Sequence, residues 1–281
     1  MKKFFERLES RKGTTIFTLV LSAIVLIILV ARIIRGDYHS VFLCVLTLLL
    51  FNIPLLANKV LKVTLPKELE VIIILFIFAA EILGEIGSFY THISWWDTML
   101  HTVNGFLMAA IGFALIDILN STPKFHFNLS PLFVAVVAFC FSMTVGVIWE
   151  FFEFGMDCFF GTDMQKDFIV KDVASVTFNP DGLNQVVTFK DISGTVIMQN
   201  GEAVYLIEGG YLDIGIIDTM KDLLVNCVGA IVFSAIGYFY IIGRSKGAFA
   251  KKFIPQYSKE NEKNTAIEAN KSSAVNTIPE D

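Results

Sequence analysis

Long apolar runs alternate with short polar breaks along this chain, and the runs fall at about 14–34, 40–57, 68–90, 97–119, 130–154 and 217–242. A helix rises 1.5 Å per residue, so about 20 apolar residues cross a hydrocarbon core of roughly 30 Å. Each run therefore predicts a membrane helix. The second is the shortest and contains Pro54, which predicts a tilt, a kink or a re-entrant path. The first run is too long for the core of a secretory signal and has no Ala-x-Ala site at its end, so it reads as an uncleaved span.

The pattern breaks at 156–216. There TVIMQ, Asn200–Gly201 and EAVYLI read as a β-hairpin closed by a type I′ turn, and VVTF at 186–189 offers a third strand. From about 245 the chain turns basic, then rich in Lys, Glu, Asn, Ser and Thr, the composition of a disordered tail. The expected fold is an all-α polytopic membrane protein of about six transmembrane helices. Its membrane domain covers 1–244, a small extracytoplasmic β-hairpin insertion lies at 156–216, and 245–281 form a cytoplasmic tail. The insertion reads equally as a lid or as a plain loop.

Composition agrees. Of 281 residues 54% are hydrophobic and 17% charged, and the mean hydropathy is +0.64. That leaves too little polar surface for soluble domains. Formal net charge is −5, but its distribution matters more than its sum. Lys2, Lys3, Arg7, Arg11 and Lys12 precede the first run, Lys59, Lys62 and Lys67 separate the second from the third, and Lys124 follows the fourth. The tail adds Arg244, Lys246, Lys251 and Lys252, whereas the opposite ends carry only Arg32, Arg35, Lys166, Lys171 and Lys190. The positive-inside rule then puts both termini in the cytoplasm of a cell-membrane protein, with the insertion outside. No basic stripe suits nucleic acid. The cysteines Cys44, Cys140, Cys158 and Cys227 lack metal-type spacing.

Against this apolar background the acids stand out: Glu81, Glu85, Asp97, Glu150, Glu153, Asp157, Asp218 and Asp222. A charge at the centre of a membrane helix costs about 2.5–3.5 kcal/mol on insertion scales, so such residues face one another, water or a cation. The orientation above puts all of them in the outer half of the membrane. His101 follows Asp97 by one turn, about 6 Å deeper, and Asn104 shares their face. Asp218, Asp222 and Asn226 form an i, i+4, i+8 stripe, and Glu81, Glu85 and Ser88 form another. Glu81, Asp97, His101, Glu150, Glu153 and Asp222 are the candidate metal ligands. Of these, Asp97, His101, Glu150, Glu153 and Asp222 are also the candidate catalytic groups. Glu85, Asn104, Asp157, Asp218 and Asn226 complete the polar lining. His101 alone would read as a buried structural histidine, and Asp218 fits an N-cap equally well. So many acids at close range require protonation or a bound cation. A divalent cation suits the oxygen-rich set, with Mg²⁺, Mn²⁺ or Ca²⁺ ahead of Zn²⁺ or iron. Gly105, Ala109 and Gly112, on one side of the fourth run, predict close helix packing.

The segments SWWDTMLHTVNGFLMAAIGF, VGVIWEFFEFGMD and GYLDIGIIDTMKDLLVNCVGAIV resemble the YjdF-like family of uncharacterised bacterial inner-membrane proteins, in that family's order and over roughly 68–242. More distantly, Asp97–His101 with Asp222, Asn226 and Gly229 is similar to the VanZ-like pattern, which implies a connection to envelope lipids or the cell wall. Three functions fit the residues. One is an outer-leaflet site acting on a lipid or envelope headgroup with a cation. The others are a proton- or cation-coupled transporter and a non-enzymatic membrane sensor or interaction protein.

Overall fold

The computed structural model describes residues 2–60, 63–121, 129–243 and 256–257. The tail expected from 245 therefore lies outside the described residues save for Gln256–Tyr257, as do Lys124 and His126. The chain forms two compact units: Met1–Val145 with Val225–Asp281, and Gly146–Leu224. The helices Pro131–Phe160 and Ile216–Ile242 contribute residues to both.

Among the described residues five helices are long and apolar enough to cross a membrane: Gly13–Arg35, Tyr38–Ala57, Trp96–Asp117, Pro131–Phe160 and Ile216–Ile242. Five of the six predicted runs are thus recovered as such helices, and the third takes a different form. The first unit opens with α1 (Lys2–Arg35), whose exposed Leu19, Ile27 and Ile34 suit hydrocarbon contact. Gly36, at φ +72°, turns the chain, and Asp37 caps α2 (Tyr38–Leu50). Its carboxylate accepts from the Ser40 amide at 3.1 Å, the Ser40 hydroxyl at 2.6 Å and Arg32 Nη1 at 3.0 Å. Ser40 holds this carboxyl below the usual aspartate range. The helix breaks at Phe51–Asn52 and resumes as α3 (Ile53–Val60). Pro54 supplies no amide to the preceding turn, and the Asn52 side chain donates to the Leu48 and Leu49 carbonyls at 3.0 and 3.3 Å.

The third predicted span is α4 (Lys67–Ile77) running directly into a π-helical segment, Phe78–Ile86. The change of winding keeps this stretch from being one uniform α-helix. A short α5 (Phe89–His92) follows. Leu21, Val25, Cys44, Leu69, Ile73, Ile77 and Ile82 form the core beneath these elements. Beyond it α6 (Trp96–Ser121), the first half of α7 (Pro131–Phe160) and the second half of α8 (Ile216–Ile242) pack through Ala109, Ala110, Phe113, Val134, Ala138, Ala230 and Phe233.

In the second unit α7 continues to Phe160, six residues past its predicted end, and Gly161 at φ +66° releases the chain. Six short strands follow. They form three antiparallel pairs: β1 (Ile169–Val170) with β6 (Tyr211–Leu212), β2 (Val173–Ser175) with β3 (Val187–Phe189), and β4 (Gly194–Gln199) with β5 (Glu202–Glu208). The β4–β5 hairpin turns at Asn200 and Gly201, with φ +53° and +85° as a type I′ turn requires. The predicted third strand exists but hydrogen-bonds to Val173–Ser175 rather than to the hairpin. Ile197 pairs with Tyr205 and Met198 with Ala203, so Val204 is the extra residue of a bulge in β5.

Candidate functional site

In the first unit, α6 starts at Trp96 and so places Asp97 in its first turn, where the helix dipole favours a carboxylate. One turn on, His101 is buried with Nε2 3.5 Å from Asp97 Oδ1. Asn104 then donates through Nδ2 to Asn226 Oδ1 at 3.3 Å. Asn226 is 1% exposed, and its own Nδ2 lies 3.6 Å from Met143 Sδ. Ser142 Oγ ties α7 to the same place by donating to the Gly105 carbonyl at 2.8 Å.

These short links depend on two glycines. A Cβ on Gly105 would run into the backbone of Asn226, and one on Gly229 into the backbone of Thr102. The helices α6 and α8 therefore cross with their main chains in contact, the arrangement small residues permit in membranes. Gly112 likewise admits Phe141. The packing role expected for the small residues of α6 is thus observed for both of its glycines.

Glu81 is half-buried in the π segment, which meets the start of α6 through Ala79, Leu100 and Trp96. Glu85 is exposed. Ser88, the third member of the expected Glu81–Glu85–Ser88 stripe, lies beyond the end of the π segment. The π segment closes with an i→i+5 bond, Gly87 N to Ile82 O, and Ser88 then adopts φ +58°. The left-handed turn takes Ser88 off the helix that carries Glu81 and Glu85.

In the second unit, Glu150, Glu153, Asp218 and Asp222 are buried. Trp149 Nε1 donates to Glu153 Oε1 at 2.8 Å. Asp157, Asp218 and Asp213 engage the chain that leaves α7, residues 162–168. Asp157 accepts from the Thr162 hydroxyl at 2.7 Å, the Met164 amide at 2.6 Å and the Gln165 amide at 2.8 Å. Asp218 accepts from the Lys166 amide at 2.7 Å. Asp213 accepts from the amides of Phe168 at 2.6 Å and Ile217 at 2.8 Å, and so also caps α8. Three carboxylates thus hold one strap of backbone. Gln165 Nε2 donates to the Thr219 hydroxyl at 2.7 Å and lies 3.5 Å from Glu150 Oε2. Lys221 places its ammonium 3.4 Å from the centre of the Phe168 ring, a cation–π contact. Within the strap, burial and then the carboxylates of Asp163, Asp213 and Asp157 raise the Asp167 carboxyl above its usual range.

Asp157 and Asp218, expected as polar lining, accept hydrogen bonds from the main chain of the strap. Ser142, Met143, Gln165, Asp213 and Thr219 join the polar groups without having been singled out by the sequence. Ser142 had a signal: it stands eight residues before Glu150, on the same helical stripe. Asp213 had one too, as an Asp just ahead of the last apolar run; Met143, Gln165 and Thr219 had none.

A family model described as "Predicted membrane protein (DUF2238)" matches residues 16–243. No curated protein and no solved structure matches the chain.

Proposed function

The chain belongs to the predicted membrane protein family DUF2238, and from that premise we propose that its multi-pass domain carries a divalent-cation site acting on a lipid or cell-envelope headgroup at the outer leaflet. The proposed ligands are Asp97 and His101, one turn apart on α6, with Asp222, an acid of the stripe expected on α8. Glu81, Glu150 and Glu153 are assigned to proton transfer or to further ligation around them. The observation that carries this reading is the buried His101 imidazole beside Asp97, one turn from the α6–α8 crossing. On the unbroken helix α8, Asp222 comes one turn before Asn226, the partner of Asn104. Two carboxylates and one imidazole suit a cation of intermediate hardness such as Mn²⁺ or Zn²⁺. When bound, such a cation offsets the buried negative charge and acts as a Lewis acid toward a phosphate or carbonyl oxygen.

The outer-leaflet assignment rests on the positive-inside distribution of Lys and Arg. The headgroup assignment rests on the resemblance of Asp97, His101, Asp222, Asn226 and Gly229 to the VanZ-like pattern.

Metal analysis of the purified full-length protein tests the reading. It predicts about one equivalent of a divalent cation, lost in His101→Ala and in Asp222→Asn. Lipid-turnover profiles of cells expressing wild type, Asp97→Asn and Glu150→Gln at equal levels should then differ. A metal-free wild type whose unfolding temperature ignores chelators would sink the proposal.

A further inference from the structure

In the second unit, Gln165 reaches from the strap onto α7 and α8, and three oxygens converge on its Nε2. They are the Thr219 hydroxyl at 2.7 Å and the main-chain carbonyl and Oε2 of Glu150, both at 3.5 Å. A carboxamide nitrogen has two hydrogens for these three acceptors and no charge to set against a carboxylate. The short bond goes to Thr219, and both contacts with Glu150 stand at the limit of hydrogen-bonding distance. Glu153, Asp218 and Asp222 are buried in the same unit, so the surroundings favour a cation. The lysines of strap and helix are engaged elsewhere, Lys166 with Asp163 and Lys221 over Phe168.

The seat therefore suits an ammonium better than the amide that fills it. A primary ammonium has three donors, one for each oxygen, and its bond to a carboxylate is charge-assisted. The seat also lies at the right level. At 27 residues α8 is about 40 Å long, more than a hydrocarbon core of roughly 30 Å. Thr219, in its first turn, thus stands among lipid headgroups rather than acyl chains.

The clasp on the strap is made by side chains. Strand pairing begins only at Ile169, and before it the amides of Met164, Gln165, Lys166 and Phe168 are held by Asp157, Asp218 and Asp213. Gly161, at φ +66° with open space beside it, supplies a hinge where the strap leaves α7. Gln165 itself rests on Gly215, where an added Cβ would meet its own Cβ. The carboxylates of Asp157, Asp163 and Asp213 oppose that of Asp167, so like charge works against closure.

We infer that the strap is an autoinhibitory cover: Gln165 occupies a seat for a primary ammonium, and an amine-bearing headgroup that enters the seat displaces it. The inference rests on the headgroup reading above and on Glu150 as an ionised acid, not on a cation at Asp97 and His101.

The test uses the full chain in nanodiscs, with hydrogen–deuterium exchange at Met164 and Gln165 reporting displacement. In phosphatidylcholine, whose quaternary nitrogen has no N–H, the strap should stay closed. Phosphatidylethanolamine should accelerate exchange there about tenfold, and Glu150→Gln should abolish the response. Gln165→Ala removes the competing amide, so it should lower the half-effective phosphatidylethanolamine content about fivefold while the unfolding temperature stays that of wild type. Free ethanolamine in phosphatidylcholine discs separates the sources: a response to both supports a seat open to any primary ammonium, and a response to the lipid alone supports a headgroup seat. A response to ethanolamine alone overturns the headgroup. Equal exchange under all conditions overturns the inference, as does a response that survives in Glu150→Gln or a half-effective content that Gln165→Ala leaves unchanged. Metal content measured on the same samples keeps the two readings apart, since a metal-free protein that still opens to amines sinks the cation site and leaves this inference standing.

Discussion

Replacing Asp157 by Ala should open the strap at 162–168 without unfolding the helices. The carboxylate accepts two backbone amides, from Met164 at 2.6 Å and Gln165 at 2.8 Å, besides the Thr162 hydroxyl. Hydrogen bonds to a charged group contribute about 1.5–3 kcal/mol each. The two amide bonds are only part-buried, so the low end applies and their combined worth is about 3 kcal/mol. At roughly 1.4 kcal/mol per factor of ten, amide exchange at Met164 and Gln165 should accelerate about 100-fold. Asp157→Asn retains one acceptor oxygen and should give about tenfold. Lys166 and Phe168, held by Asp218 and Asp213, should change less, because local openings are graded along a segment. Hydrogen–deuterium exchange with mass spectrometry on the detergent-solubilised protein reads this directly. Exchange at 164–165 that stays within about threefold of wild type in Asp157→Ala would refute the carboxylate clasp.

Gly105→Ala and Gly229→Ala should each lower the unfolding temperature sharply, because the added methyl meets main chain rather than a movable side chain; differential scanning fluorimetry in detergent checks this, and an unchanged midpoint for both would exclude backbone contact. The Asp37 cap should be pH-sensitive. Its carboxyl is lowered in the folded chain, so its contribution is complete above the unfolded aspartate value of about 3.9 and is lost as pH falls through the depressed folded value. Exchange at the Ser40 amide should rise over that acidic window relative to its intrinsic rate, while in Asp37→Asn the relative protection should stay flat.

What could be read from the chain depended on whether the signal was local. The spans of α1, α6 and α8 follow from apolar run length alone, and the hairpin from Asn200–Gly201, whose positive φ angles few other residue pairs accept. The π segment was not legible: a shift from i→i+4 to i→i+5 bonding leaves the apolar pattern nearly intact. The partner of Val187–Phe189 was not legible either, because strand pairing across a loop depends on packing rather than on the strand's own residues. For the acids the difficulty was chemical. A carboxylate aimed at a cation and one aimed at peptide amides have the same sequence signature. Asp157 and Asp218 belong to the second kind, and only the path of the strap distinguishes them.

The backbone crossing of α6 and α8 also sets a timetable. Asn104 and Asn226, which join the two helices, are separated by 122 residues of chain. At about 5–20 residues per second, a ribosome needs roughly 6–24 s to travel from one to the other. For that interval α6 carries Asp97, His101 and Asn104 in a nascent chain whose α8 surface has not yet been made. The helix least able to remain alone in lipid is therefore made well before its partner. Biogenesis must shelter it, at the translocon or beside an insertion chaperone, until the last span arrives.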